Sequence, residues 1–201
     1  MSELRLAESV DRFRLDCYTW PRDLAWPKKV ALALIMAAVT GLAAQVRVPL
    51  PFTPVPATGQ VFAVLLSGVL LGGAWGGVSQ VFYVGLGAVG VPWFTGWAAG
   101  MPVGPTAGYL LGFIPAAVLV GWASDRYVRA RFFAPQLALM MVAVAVIYLF
   151  GAIGFSIFTG AGLGATFKMA VRPFIAIDLF KAIAASAISS ALLPKRMNKQ
   201  R

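Results

Sequence analysis

Most of this chain is laid out as apolar runs of the length that crosses a lipid bilayer. A transmembrane helix needs about 20 apolar residues, and somewhat fewer when neighbouring helices help. About six runs meet that description, roughly at 28–46, 58–73, 75–90, 105–123, 135–156 and 173–193. The second and third are short and meet at Gly72, Gly73, Gly76 and Gly77, which predicts a tight hairpin. Lipid permits only segments whose backbone groups bond within themselves or in a closed barrel. The expected fold is therefore all-α, an integral membrane bundle of six transmembrane helices. It divides into a cytoplasmic N-terminal extension (1–29), a six-helix transmembrane domain (30–193) and a basic cytoplasmic tail (194–201).

Composition agrees. Of 201 residues, 60% are hydrophobic and 12% charged, against roughly a quarter charged in a soluble domain. The formal charge of +10, from 17 basic and 7 acidic residues, suits either nucleic acid or the positive-inside rule, and placement decides between them. With six spans the termini share a side. That side holds Arg5, Arg12, Arg14, Arg22, Lys28, Lys29, Arg126, Arg129, Arg131, Lys195, Arg196, Lys199 and Arg201; the other holds only Arg47, Lys168 and Arg172. Both termini are thus expected in the cytoplasm, and no nucleic acid is needed to explain the charge. With His 0 and Cys 1, histidine-based metal sites, triads and intrachain disulfides are excluded. Residues 1–29 mix acids and bases without a signal-length apolar stretch. They fit either a short amphipathic helix at the membrane surface or a solvated tail.

Beyond residue 29 only two acids remain, Asp125 and Asp178. Asp178 lies inside the last run, in IAIDLFKAIAAS, with Lys181 three residues on. That spacing puts both on one helix face, within reach of each other. The pair could simply neutralise itself and lock the helix. Apolar residues would do that at lower burial cost, so a pocket for a polar solute is the better account.

Other groups on the outer side could complete such a pocket. Pro49, Pro51, Pro54 and Pro56 make a stiff connector able to lie over it, followed by the neutral hydrogen-bonding pair Thr58 and Gln60. The uncharged loop VPWFTGWAAGMPVGPTAGY offers Trp93, Phe94 and Trp97 as apolar walls, and Tyr83 and Tyr109 could supply hydroxyls. Trp93, like Trp26, Trp75 and Trp122, also fits simple interface anchoring. No P-loop, HExxH or CxxC motif occurs, so the chain carries no ATP site of its own and no visible motor. Ala33, Ala37 and Gly41 form a small-residue stripe that lets a helix, of this chain or another, approach closely.

With these residues in hand, the sequence resembles the BioY family, the biotin-specific substrate-binding (S) components of energy-coupling factor (ECF) transporters. The resemblance runs from about residue 30 to 193 and is carried by PFTPVPATGQ, YVGLGAVGVPWF, GPTAGYLLGF and PFIAIDLFKA. It implies a six-helix S-component fold in the bacterial inner membrane, biotin as the transported ligand, no cofactor and no enzymatic activity. The family's acid-x-x-lysine motif falls on Asp178 and Lys181, and its other motifs on Thr58, Gln60, Tyr83 and Tyr109. Arg47 and Arg172 are further candidates for the biotin carboxylate. The implied partners are a transmembrane coupling subunit and ABC-type ATPases, the former meeting Ala33 and Ala37; a homo-oligomer remains open. Ala107 and Ile177 stand where the family pattern has glycine, and residues 1–29 have no evident counterpart. The rival readings are an S component for another vitamin and a proton-coupled carrier using Asp178.

Overall fold

The structure, a computed structural model, describes residues 2–195, and side chains from residue 8 onward. The basic tail expected over 194–201 lies, beyond Lys195, outside the described residues. The helices are α1 (Ser2–Asp23), α2 (Trp26–Gln45), α3 (Gln60–Ala88), α4 (Ala107–Arg126), α5 (Phe133–Thr159), α6 (Leu163–Thr166) and α7 (Ile175–Leu192). Among the described residues, five stretches are long and apolar enough to cross a membrane: α2, α3, α4, α5 and the run Leu163–Leu192.

α3 is not a straight rod. Gly72 leaves the helix at φ 81 and ψ 170, a conformation open essentially to glycine alone. The chain doubles back there. Gln60 Nε2 donates to the Tyr83 hydroxyl at 2.7 Å and Gln80 Nε2 to Ser67 Oγ at 3.0 Å. On a straight helix residues 60 and 83 would lie about 34 Å apart. The halves 60–71 and 73–88 are the hairpin expected from the glycine cluster. Their crossing is tight because Gly68 and Gly76 pack backbone to backbone, with Gly121 of α4 against Gly68 from the other side. A side chain at any of the three would push the helices apart. The hairpin and α4 form the centre of the bundle, while α2, α5 and α7 turn residues such as Ile35, Leu42, Leu149, Ile153 and Phe180 outward.

The helix ends follow local chemistry. Pro27 occupies the first turn of α2, where a missing N–H costs nothing. α5 stops at Gly160, which is left-handed at φ 69 and ψ 10, its N–H returning to the Ser156 carbonyl. Pro115 sits inside α4, a position that a membrane helix tolerates when its neighbours supply packing.

At one end of the bundle lie the hairpin tip, the α4–α5 connector and the last turn of α7. Of the two readings of the N-terminus, helix and tail, the helix is the one found, and it docks here. Arg22 Nε donates to Asp125 Oδ1 at 3.1 Å, and Asp125 Oδ2 accepts the Gly73 N–H at 3.3 Å. Tyr18 lies between the guanidinium groups of Arg22 and Arg131, 3.8 and 4.3 Å from its ring centre. Burial raises the Tyr18 hydroxyl's pKa, keeping it neutral as it accepts from Arg131 and donates to Asp125. The wholly buried Arg131 also donates to the Ser124 and Pro194 carbonyls. The Arg14 guanidinium reaches the Ala191 carbonyl at 2.9 Å. α1 is thus tied to the hairpin, to α4 and to α7.

Candidate functional site

At the opposite end the connectors close over a cavity of about 280 Å³. Strand β1 (Arg47–Val48) pairs antiparallel with β2 (Ala57–Thr58). That ribbon closes off the proline-rich segment and sets Val55, Pro56, Ala57 and Thr58 into the cavity wall. The 89–106 connector forms another wall through Phe94, Thr95 and residues 98–103. Gln45 fixes that connector from the end of α2. Its Nε2 donates to the carbonyls of Trp93 (3.2 Å) and Phe94 (3.0 Å). Its Oε1 accepts the N–H groups of Gly96 (3.1 Å) and Trp97 (3.0 Å).

Two polar patches stand in the wall, which Thr106 and Tyr109 also line. The first is built on α7. Asp178 lies in the first turn, where the helix dipole favours a negative charge. Its Oδ1 accepts from Lys181 Nζ at 2.7 Å, and its Oδ2 from the Tyr148 hydroxyl of α5 at 2.7 Å. The Asp178 side chain is 5% exposed and that of Lys181 17%. Both carboxylate oxygens are engaged, and Lys181 keeps donors free for a guest. The second patch is neutral. Gln60 Oε1 accepts from Thr58 Oγ1 at 2.7 Å and from Thr95 Oγ1 at 3.5 Å, while its Nε2 is held by Tyr83. Val61, Leu110, Phe113, Ile147 and Phe174 supply apolar surface.

The structure therefore brings Thr58, Gln60, Tyr109, Asp178 and Lys181 to one cavity. Four other expectations need correction. Tyr83 does not line the cavity; it is wholly buried behind Gln60 and orients that amide. Trp93 is not a wall either. Its indole N–H bonds the Tyr83 carbonyl at 2.8 Å and its ring packs on Tyr83. Phe94 is the aromatic wall, while Trp97 is largely exposed with φ 61. Arg47 and Arg172 are exposed and outside the lining. Finally, Ala33 and Ala37 are wholly buried in the chain's own bundle. Their small size serves packing within the fold, not a partner helix, because the outward face of α2 is the one bearing Leu34, Ile35, Val39 and Leu42.

Sequence reasoning missed Tyr148, Thr95 and Gln45, and Thr106 as a residue of the cavity lining. Tyr148 left a signal, being the one hydroxyl in the apolar run LALMMVAVAVIYLFGAIG. Tyr109, besides lining the cavity, donates to the Ala170 carbonyl. That carbonyl lies in the π turn Phe167–Val171, so Tyr109 ties the 160–174 connector to α4.

A family model described as the BioY family matches residues 15–198. The chain belongs to the BioY family. The match begins inside α1, so Tyr18 and Arg22 fall within the BioY region. Among BioY relatives, the "Probable biotin transporter BioY" of Methanothermobacter thermautotrophicus is 44% identical over 139 residues, covering 65% of this chain and 88% of that protein. The protein of the same description from Pyrococcus horikoshii is 35% identical, over 82% of this chain and 96% of its own length. The "Biotin transporter BioY" of Rhizobium etli is 31% identical, over 82% and 91%. In fold, the chain is similar to the crystal structure of an S-component for biotin from an ECF-type ABC transporter, with a TM-score of 0.74. That likeness covers 82% of this chain and 90% of that one at 24% identity. The chain is a multi-pass membrane protein of a transporter family.

Proposed function

We propose that this chain captures biotin at the outer face of the cytoplasmic membrane, as the substrate-binding component of an ECF-type transporter. One observation carries the reading: a single cavity whose apolar wall bears one Asp–Lys–Tyr patch and one neutral Thr–Gln patch. Biotin matches that pattern. Its ureido ring offers two N–H donors and a carbonyl, its thioether ring and alkyl chain are apolar, and its carboxylate is anionic. Asp178 accepts a ureido N–H, Lys181 donates to the carbonyl or the carboxylate, and Phe94, Phe113 and Phe174 enclose the apolar parts.

In this reading α3 crosses twice, once on each side of Gly72, for six crossings, and the distribution of basic residues supports cytoplasmic termini. The cavity then opens outward, and α1 lies at the cytoplasmic end. Capture needs no cofactor and no chemistry on the ligand. Because the sequence lacks a P-loop, the energy for release comes from partners, a coupling subunit and ABC-type ATPases.

The test is equilibrium binding of biotin to the purified full-length protein in detergent without ATP, beside Asp178→Asn and Lys181→Ala. Wild type is expected to bind biotin tightly and each variant at least tenfold more weakly, since a buried charge-assisted hydrogen bond is worth about 1.5–3 kcal/mol. Wild-type affinity in both variants would refute the site.

A further inference from the structure

We propose that Arg47, Lys168 and Arg172 form an electropositive rim that draws a carboxylate-bearing ligand toward the cavity without holding it, setting the rate of capture and leaving the rate of release alone. The inference rests on the biotin reading above and on its outward-facing cavity.

All three side chains are exposed, and none belongs to the cavity lining. Each nevertheless belongs to a segment that builds the cavity. Arg47 pairs across the ribbon with Thr58, a lining residue, and its guanidinium lies over Gly96, next to the lining residue Thr95. Lys168 and Arg172 sit on the 160–174 connector, which is tied to the cavity by the Tyr109 bond to Ala170 and ends at the lining residue Phe174. Among the described residues none of the three joins an ion pair. The segments 46–59, 89–106 and 160–174 contain no aspartate or glutamate at all.

The interior contributes little net field. Its one acid and one base are paired at 2.7 Å, so from outside they act as a small dipole and not as a charge. The long-range field over the mouth is therefore that of three unopposed cations. Exposed charges act across about 8–10 Å at physiological salt and farther at low salt. A fixed positive rim of this kind accelerates encounter with an anion, while contacts made after entry set release.

The test is stopped-flow binding to full-length protein in nanodiscs of neutral lipid, at about 20 mM and about 500 mM salt, which span long and short screening lengths. Wild type and the triple variant R47Q/K168Q/R172Q are compared with biotin and with uncharged biotin amide. Raising salt is expected to slow wild-type association with biotin about tenfold, the low end of steering effects. The triple variant should begin at the slow rate and ignore salt, with dissociation unchanged and the amide insensitive to both changes. Salt-independent association in wild type overturns the proposal. So does faster dissociation in the variant, which would mean direct contact. Equal slowing of biotin and its amide would assign the three cations to folding or lipid headgroups, and would overturn it too. A wild type that binds no biotin under any condition sinks the biotin reading as well; each other adverse outcome leaves that reading standing.

Discussion

Replacing Lys181 by Met removes the one cation that lines the cavity among the described residues and leaves Asp178 with Tyr148 as its donor. Asp178 is 3% exposed, so its charge loses its partner where water cannot fully replace it. Breaking one side of a buried pair costs about 3–5 kcal/mol. The cavity admits some water to Lys181, whose side chain is 17% exposed, which points to the lower figure, about 3 kcal/mol. Removing both charges should behave differently. In D178L/K181M no charge is left behind, the burial cost of both ions disappears, and stability should return to within about 1 kcal/mol of wild type or exceed it. Binding should not return, because both the acceptor and the donor for the ligand are gone. The assay pairs thermal unfolding in detergent with biotin titration across wild type, K181M, D178L and the double variant. The expected pattern is unstable singles, a stable double, and weak binding in all three variants. A double variant that binds biotin like wild type would show the pair to be a structural lock only. A double variant less stable than either single would refute the account of its burial cost.

Three further outcomes are expected. Tyr148→Phe deprives Asp178 Oδ2 of its donor; melting should show a loss of about 1.5–3 kcal/mol, with the fold retained by circular dichroism. Gly72→Ala forces a side chain into φ 81 and against the Asp125 carboxylate, so thermal unfolding should report a loss of about 1–3 kcal/mol, while biotin affinity at the far end stays within twofold. Gln45→Leu releases the 89–106 connector from four hydrogen bonds; amide exchange over 93–100 should accelerate and biotin should dissociate faster, and an unchanged exchange rate there would remove Gln45 from its role as the clamp.

What the sequence alone determined is what depends on chain neighbours and on total polarity. Apolar runs of spanning length demanded helices, because lipid offers no partner to an open backbone. Gly72 and its companions marked a reversal, because few other residues reach that conformation. Asp178 and Lys181 had to meet, because three residues along a helix is contact distance. Which face of each helix points inward was not legible in the same way. In water an amphipathic stripe reveals the buried side; in a bilayer both core and surroundings are apolar, and the stripe fades. So the alanines of α2 read equally well as a surface for a partner, and only the packed bundle shows Ala33 and Ala37 turned in. The same holds for contacts between distant elements. Tyr148 meets Asp178 across 30 positions, Tyr83 meets Gln60 across 23, and Gln45 reaches Phe94 across 49. No local periodicity encodes such distances. They arise when the hairpin and α4 fix the bundle and its connectors are drawn over one end. The tertiary structure thus made Tyr83 a support, set Arg47 and Arg172 outside the cavity lining, and left Asp178 and Lys181 at the cavity wall with a tyrosine beside them.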